Sequence, residues 1–253
     1  MAHSLKIVGI IPSRYASTRL PAKSLADICG KPMVQHVYER AKQSLLLTDV
    51  IVATDDGRIE SAVKRFGGNV VMTPTTIRSG SDRIAYAAQS ISADIIVNIQ
   101  GDEPLIEPRM IDQTISILLD DAGAVVSTAV KRIVEGEDVF NPNIVKVVFD
   151  KNNYALYFSR SPIPYVRDEK HGVNWVDNVT FYKHFGIYVY RTEFLKKFSS
   201  FEPTMLERSE KLEQLRILEN GFHIKVAVTE FDSVAVDTPE DLERVREKVK
   251  TLE

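Results

Sequence analysis

Short apolar runs alternate with helix-like segments through the first hundred residues, and this alternation restricts the fold more than any other feature of the chain. Residues 5–11, LKIVGII, lack the polar alternation of a half-exposed strand, which is typical of a strand buried on both faces. Similar runs follow as DVIVATD at 49–55, NVVMT at 69–73 and DIIVNIQ at 94–100. Strands that alternate with helices at this spacing predict βαβ units, and so an α/β fold with a mostly parallel sheet flanked by helices.

The helices between these runs are marked by their starting residues. Pro32 begins one helical pattern, and the segment 56–66 forms another. Ser81 is expected to cap a third helix that runs to about residue 90. Pro108 begins a fourth. The first helix has an apolar face consisting of Val34, Val37, Tyr38, Ala41 and Leu45.

From about residue 125, strand-like runs follow one another with few helices, which predicts antiparallel additions to the sheet. A helix near 205–219 interrupts the series, and the chain closes with the strand HIKVAVTEF and a helix from Pro239. We find no repeat or linker, so we expect one domain with an elaborated second half. The successive strand-like runs are AVVSTAVKR, IVKVVFD, YALYFSR and FGIYVYR.

Composition excludes several classes of protein. Apolar residues make up 44% of the 253 residues, charged residues make up 26%, and the net charge is −3. No block of like charge favours binding to nucleic acid or to a membrane surface. No apolar segment approaches the ~18 residues that span a bilayer, and the N-terminus lacks the apolar core of a signal peptide. The single cysteine, Cys29, excludes an internal disulfide and a cysteine-based zinc site, so we expect a reduced, cytoplasmic setting.

Two charged motifs follow predicted strands of the sheet. IPSRYASTRLPAKSL, at 11–25, carries Arg14, Arg19 and Lys23, and QGDEP carries Asp102. In an open parallel sheet, ligands bind beyond the carboxyl ends of the strands, where both motifs are expected. The three cations suit a polyphosphate, and the carboxylate suits a divalent cation such as Mg²⁺.

Simpler interpretations exist for each of these residues. An arginine after a strand is usually solvated or salt-bridged, and an aspartate there is usually a turn or cap residue. The chain has neither G-x-G-x-x-G nor G-x-x-x-x-G-K-[ST], which argues against a Rossmann dehydrogenase and a P-loop NTPase. The residue pattern alone therefore indicates an α/β enzyme that acts on a phosphorylated nucleotide, and nothing more specific.

A resemblance to a known family adds detail. The segment IIPSRYASTRLPAKSL followed by GKPM resembles the signature of the sugar nucleotidylyltransferases, in particular the 3-deoxy-manno-octulosonate (Kdo) cytidylyltransferases. The chain departs from that pattern at Ala22 and Ala235, where the family has Gly, and at Ser24, where it has Pro. Further motifs resemble the family in order between residues 7 and 247: IVATDD, RSGSDR, IIVNIQGDEP, FNPNIVKVV, YALYFSRSPIP, KHFGIYVYR, LEQLRILENG and VDTPEDLERV.

The resemblance implies a single Rossmann-like nucleotidylyltransferase domain over 1–253. Residues 1–130 would bind the nucleotide, and 131–253 would bind the sugar and form a homodimer. The implied reaction transfers a cytidylyl group from CTP to the anomeric hydroxyl of Kdo, giving CMP-Kdo and pyrophosphate for lipopolysaccharide synthesis. Such transfer depends mostly on positioning and on neutralising charge, and Mg²⁺ is the implied cofactor.

The resemblance also implies roles on the nucleotide side. Arg14 and Lys23 would hold the triphosphate, with Arg19 a weaker candidate. Asp102 and Asp237 match the magnesium ligands, although Asp237 could instead cap the last helix. The residues that match the cytosine-reading region are Arg78, Ser81 and Gln100.

On the sugar side, Arg160 would bind the Kdo carboxylate, because a guanidinium can hold a carboxylate through two hydrogen bonds. Arg167 would close over the site from the loop 161–168. His184, Tyr188, Glu213 and Gln214 would pair with sugar hydroxyls. Each has a simpler interpretation: Tyr188 in the core, His184 as a structural hydrogen-bonding residue, and Glu213 with Gln214 on the solvent side of a helix.

Two other functions stay open. The first is a cytidylyltransferase for another acidic sugar, such as a sialic acid or an amino analogue of Kdo. The second is a nucleotide-sensing protein without catalysis, against which the retention of Arg14, Lys23, Asp102 and Asp237 argues.

Overall fold

A computed structural model of the chain describes residues 5–16, 20–77, 79–169 and 175–252. The described residues form two compact units that interleave along the sequence. Unit 1 comprises those within Met1–Asp112, Val189–Ser199 and Asp232–Glu253, and unit 2 those within Gln113–Tyr188 and Ser200–Phe231. The assignment of nucleotide binding to 1–130 and of sugar binding and dimerisation to 131–253 stays a prediction.

The strands are β1 (Ile7–Ser13), β2 (Asp27–Ile28), β3 (Lys31–Pro32), β4 (Asp49–Thr54), β5 (Asn69–Met72), β6 (Ile95–Asn98), β7 (Val126–Arg132), β8 (Lys146–Phe149), β9 (Ala155–Ser159), β10 (Tyr182–Arg191) and β11 (Ile224–Val228). The helices are α1 (Met33–Ala41), α2 (Gly57–Arg65), α3 (Gly80–Ala88), α4 (Pro108–Leu119), α5 (Gly136–Phe140), α6 (Trp175–Asn178), α7 (Thr192–Phe198), α8 (Met205–Glu210), α9 (Gln214–Glu219) and α10 (Pro239–Leu252), with a 3₁₀ helix at Lys23–Leu25. Among the described residues, no helix has both the length and the apolar character needed to cross a membrane.

In unit 1, four parallel strands lie in the order β6-β1-β4-β5, which confirms the predicted βαβ alternation. The strand predicted at 5–11 is Ile7–Ser13, because pairing begins where Ile7 meets Ile95 and continues to Ser13 opposite Thr54. β1 therefore ends immediately before Arg14, so the cationic loop begins at the carboxyl edge of the sheet.

Two helix predictions in unit 1 are wrong in detail. α1 ends at Ala41, and Leu45, which was predicted on its buried face, is 89% exposed. The chain turns because Asp112 accepts hydrogen bonds from Ser44 Oγ at 2.5 Å and from the Leu45 amide at 3.1 Å. The cap of α3 is Ser79 rather than Ser81, since the Ser79 side chain accepts a hydrogen bond from the Asp82 amide at 3.0 Å.

Unit 2 confirms the predicted antiparallel elaboration, with one exception. β8 pairs with both β9 and β10 in antiparallel fashion. β11, however, is parallel to β7, with Ile224 opposite Val126. A small core of Ile133, Val139, Trp175 and Phe181 lies beside these strands.

The single helix predicted at 205–219 is wrong: the segment forms α8 and α9. Lys211, between them, is left-handed with φ of 55°, which breaks the helical path. A buried ion pair joins the two helices, because Arg216 donates to Glu207 at 2.7 and 2.5 Å. The spacing of apolar residues correctly predicted helical structure here, but it does not predict the turn at Lys211.

Candidate active site

The carboxyl ends of β1 and β6 form the edge at which the predicted nucleotide site begins. The turn after β6 packs tightly on the end of β1: a Cβ on Gly101 would lie 2.8 Å from the Pro12 carbonyl oxygen and 3.0 Å from Ser13 Oγ. Only glycine fits this approach, and it places Gln100 and Asp102 at the same edge as the exposed Arg14.

Three charged side chains from distant segments of unit 1 meet at this edge. Lys23 Nζ lies 2.7 Å from Asp102 Oδ2 and 3.1 Å from Asp237 Oδ1. The backbone brings the carboxylates together, because the Val236 amide donates to the Asp102 carbonyl oxygen at 2.9 Å. The structure thus joins three of the residues predicted for the site, whereas their chemical roles stay predictions.

The charge and burial of this cluster suit a divalent cation. The side chains of Lys23, Asp102 and Asp237 are 17%, 30% and 38% exposed, so the ion pairs are accessible to a ligand. Two carboxylates and one ammonium give the cluster a net negative charge. The carboxylates also supply oxygen atoms, the ligands that hard cations prefer. Within the described residues, no group of three or more acidic, His or Cys side chains could hold a metal, so phosphate oxygens and water would complete the coordination.

Asp237 is not the cap of the last helix. Thr238 caps α10 in a reciprocal arrangement: Thr238 Oγ1 accepts from the Asp241 amide at 3.2 Å, and the Thr238 amide donates to Asp241 Oδ2 at 3.1 Å. Pro239 then occupies the first helical position. The capping interpretation of Asp237 is therefore wrong, and its carboxylate faces Lys23 instead.

Lys23 stands on a strained turn. Ala22, which precedes it, has φ of 56° and ψ of 29°, the left-handed conformation that glycine adopts most easily. Gly was expected at this position from the resemblance, and the left-handed backbone of Ala22 is one that would favour Gly. The short 3₁₀ helix that follows directs Lys23 toward the two aspartates.

A residue of α2 also packs on the loop after β1. The Arg58 guanidinium lies 3.3 Å from the centroid of the Tyr15 ring, next to Arg14. Arg58 itself is fixed by Asp56, which accepts from Nε at 2.9 Å and from Nη2 at 2.6 Å. This hydrogen-bonded guanidinium lowers the pKa of Asp56 to about 2.

The region predicted to read cytosine is described only in part. Arg78 lies outside the described residues, as does Arg19 of the triphosphate loop. Ser81 is half-buried in the first turn of α3, and Gln100 is half-buried after β6.

Arg83 is an organising residue in that region that sequence reasoning missed. Its guanidinium is buried and donates to Thr73 Oγ1, to Asp55 Oδ2 at 2.7 Å and to the Ile77 carbonyl oxygen at 3.2 Å. Arg83 thereby ties α3 to the segments after β4 and β5. Its place in RSGSDR was a signal, but spacing does not reveal that an arginine is buried.

Glu103, beside Asp102, is a second missed residue. It is only 7% exposed, and burial raises its pKa to about 7, with further contributions from the negative charges of Asp102 and Asp232. A carboxyl group so placed is partly protonated near neutral pH.

In unit 2, Arg160 at the end of β9 is held by main-chain acceptors. Its Nε donates to the Glu210 carbonyl oxygen at 2.8 Å, and its Nη1 donates to the Pro142 carbonyl oxygen at 2.9 Å. Glu210 also accepts from the Arg160 amide at 2.9 Å and from Ser159 Oγ at 2.6 Å. Arg167 is exposed.

His184 is a neutral hydrogen-bonding residue. Burial lowers its pKa to about 3, and its ring packs near those of Phe158 and Tyr188, at 5.0 and 5.4 Å between centroids. The hydroxyl of Thr128 lies 2.9 Å from His184 Nε2 and donates to the Ile187 carbonyl oxygen at 2.7 Å. Since a hydroxyl has one hydrogen, we assign the imidazole proton to Nε2, which leaves Nδ1 as an acceptor.

The other sugar-side candidates differ in burial. Tyr188 is 9% exposed, in keeping with its alternative place in the core. Gln214 is only 5% exposed, so its placement on a solvent-facing side is wrong; Glu213 beside it is half-buried. The Nε2 of Gln214 is a buried donor with no acceptor among the described residues, which points to a ligand or water there.

Comparisons with known proteins show what the whole chain is similar to. The family model described as Cytidylyltransferase matches residues 8–245. A 3-deoxy-manno-octulosonate cytidylyltransferase of Geobacter metallireducens is 54% identical and covers 98% of this chain and 100% of its own length. One from Parabacteroides distasonis is 53% identical, covering 95% and 96%. The solved structure of CMP:2-keto-3-deoxy-manno-octonic acid synthetase complexed with CTP matches with a TM-score of 0.92 at 42% identity, covering 98% of this chain and 100% of that one.

Proposed function

We propose that this chain, which belongs to the 3-deoxy-manno-octulosonate cytidylyltransferase family, transfers a cytidylyl group from CTP to the anomeric hydroxyl of Kdo. Pyrophosphate leaves as CMP-Kdo forms, and the product would serve lipopolysaccharide synthesis. The observation that carries the proposal is the contact of Lys23 with both Asp102 and Asp237, three residues that match the family's nucleotide site.

On the nucleotide side, Asp102 and Asp237 would hold Mg²⁺, which when bound offsets negative charge on the triphosphate oxygens. The Lys23 ammonium, already beside both carboxylates, is placed to donate to the leaving pyrophosphate. Arg14 would add a second cation from the end of β1. Arg19 would also bind the triphosphate. The residues that would bind cytosine are Arg78, Ser81 and Gln100.

On the sugar side, Arg160 would bind the carboxylate of Kdo, and its two main-chain hydrogen bonds hold the guanidinium ready for it. His184 Nδ1 would accept from a sugar hydroxyl, and Gln214 Nε2 would donate to one. Glu213 and Tyr188 would complete this side, with Arg167 closing over it.

We also propose that the chain works in the cytoplasm as a homodimer formed through its second half. Supporting this, unit 2 exposes several large apolar side chains that a partner could cover. They are Val134, Leu156, Tyr165, Met205 and Val228.

A single assay tests the reaction. The purified chain, CTP and Mg²⁺ are mixed separately with Kdo, an amino analogue of Kdo and a sialic acid, and pyrophosphate release is followed. We expect release with Kdo above all, and with CTP rather than UTP, because a site built to hydrogen-bond particular groups rejects analogues that lack them. Release with the sialic acid but not with Kdo would favour the alternative substrate, and no release with any sugar would favour a nucleotide-binding protein.

A further inference from the structure

Lys146, at the start of β8, is a buried ammonium to which the proposed function assigns no role. The residue is 0% exposed, which is rare for lysine, since a charge is seldom buried without partners. Burial, and after it the nearby charge of Arg160, lower its pKa. Such a residue calls for an explanation beyond packing.

The three hydrogens of the ammonium are matched by three carbonyl oxygens. Lys146 Nζ lies 2.9 Å from the oxygen of Asn141, 2.7 Å from that of Ile144 and 2.6 Å from that of Arg160. A neutral amine has only two hydrogens to donate, so this geometry fits the charged form. None of these partners is a carboxylate, so carbonyl dipoles solvate the charge directly, and the carboxylates of Glu210 and Asp138 act on it without a direct hydrogen bond.

The same contacts immobilise Arg160. Its carbonyl oxygen is held by Lys146 and its amide by the Glu210 carboxylate at 2.9 Å. Its guanidinium donates to Pro142, which lies in the 141–144 segment that Lys146 also holds. Lys146 therefore connects the backbone of Arg160 to the loop that orients its side chain.

We propose that Lys146 is a positioning residue that sets the affinity of this site for the carboxylate of the acidic sugar. It holds Arg160 in place, so less freedom is lost when the carboxylate binds. It also places a second positive charge near that of Arg160, beside the carboxylates of Glu210 and Asp138. The inference rests on the proposed function, in which Arg160 binds that carboxylate.

The test compares Lys146→Met, which keeps the length of the side chain but removes the charge and donors, with Lys146→Gln, which keeps an amide donor group without the charge. The matched control is Lys225→Met, also in unit 2, where Lys225 Nζ lies 2.8 Å from Asp121 Oδ2 and is away from the contacts of Arg160. KM for Kdo, KM for CTP, kcat and melting temperature are measured for all three and for the unaltered chain.

We expect Lys146→Met to raise KM for Kdo at least about tenfold while KM for CTP changes less than about twofold. Lys146→Gln should raise KM for Kdo by a smaller factor, and Lys225→Met should leave both constants nearly unchanged even if its melting temperature falls. An unaltered KM for Kdo in Lys146→Met, or equal changes in both constants, would overturn the proposal.

If neither Lys146 variant folds, Lys146 serves the fold alone and the proposal is rejected. Failure of the proposed function has a different signature: the unaltered chain would then release no pyrophosphate from CTP with Kdo. Kdo binding by calorimetry, with the unaltered chain and Lys146→Gln, separates the two results, because it needs no turnover.

Discussion

At the scale of single residues, Asp237 has two separable properties, its charge and its place beside α10. Because Thr238 and Asp241 cap that helix, Asp237→Asn leaves the cap intact. Its ion pair with Lys23 is partly exposed, so its loss should change stability by less than about 1 kcal/mol. We expect the melting temperature of the variant without metal to match that of the unaltered chain. We expect its turnover to fall about a hundredfold or more, because the negative charge of a proposed metal ligand is removed.

Glu240→Gln is the control for this prediction, because it removes an equal charge from the exposed first turn of the same helix. Its turnover should match that of the unaltered chain. Near-normal turnover of Asp237→Asn at ordinary Mg²⁺ concentration would show that Asp237 is not a metal ligand.

Glu103 predicts a pH dependence of stability. Its folded-state pKa, about 7, lies above the ordinary value of 4.5, so the folded state binds the proton more tightly. Stability from this group is present below about pH 4.5 and is lost as pH rises through about 7. Glu103→Gln should therefore be more stable than the unaltered chain above pH 7, by up to about 3 kcal/mol, and equal to it below pH 4.5.

Urea unfolding across this pH range, without metal, measures the effect. Glu240→Gln, which alters an exposed carboxyl group, should keep the pH dependence of the unaltered chain. Parallel curves for Glu103→Gln and the unaltered chain would mean that folding does not raise the pKa of Glu103.

Arg160 separates recognition of the sugar from recognition of the nucleotide. Arg160→Ala should raise KM for Kdo strongly, since loss of one partner of a buried charge pair costs about 2–5 kcal/mol, while CTP binding changes little. The KM for Kdo of Arg160→Lys should lie between those of Arg160→Ala and the unaltered chain, because lysine keeps the charge but loses the planar guanidinium. An equal loss of CTP affinity would place Arg160 in the scaffold.

At the scale of elements, the turn into the 3₁₀ helix can be tested through Ala22. Its φ of 56° strains a residue with a side chain by about 1–2 kcal/mol, and glycine relieves this at a smaller entropic loss. Ala22→Gly should therefore raise the free energy of unfolding by about 0.5–1 kcal/mol in urea. Ala26→Gly is the matched control at the other end of the helix, where φ is −57°, and it should destabilise the protein. The opposite order would mean that the turn is unstrained.

At the scale of the whole molecule, the proposed homodimer predicts a sedimentation mass twice that of one chain. Leu156, exposed on β9 of unit 2, is among the apolar residues proposed to be covered, so Leu156→Glu should shift the protein toward monomer. Leu45→Glu, at an even more exposed position in unit 1, should leave the mass unchanged. A monomeric unaltered chain would contradict the proposal.

Local sequence determined much of this protein. Apolar runs buried on both faces identified β1, β4 and β6, because buried parallel strands need no polar alternation. The apolar run at 69–73 identified β5 as well, although this strand at the end of the sheet order is partly exposed. Motif resemblance named Lys23, Asp102 and Asp237 as one site before any contact was known.

Only the tertiary structure decided the contacts themselves. Lys23 lies 79 positions from Asp102 and 214 from Asp237, and no local pattern reports which side chains meet across such separations. The same holds for the burial of Gln214 and of Lys146. A sequence shows which residues favour burial by their chemistry, whereas polar groups enter the interior only where folding supplies their hydrogen-bond partners, and those come from other segments of the chain.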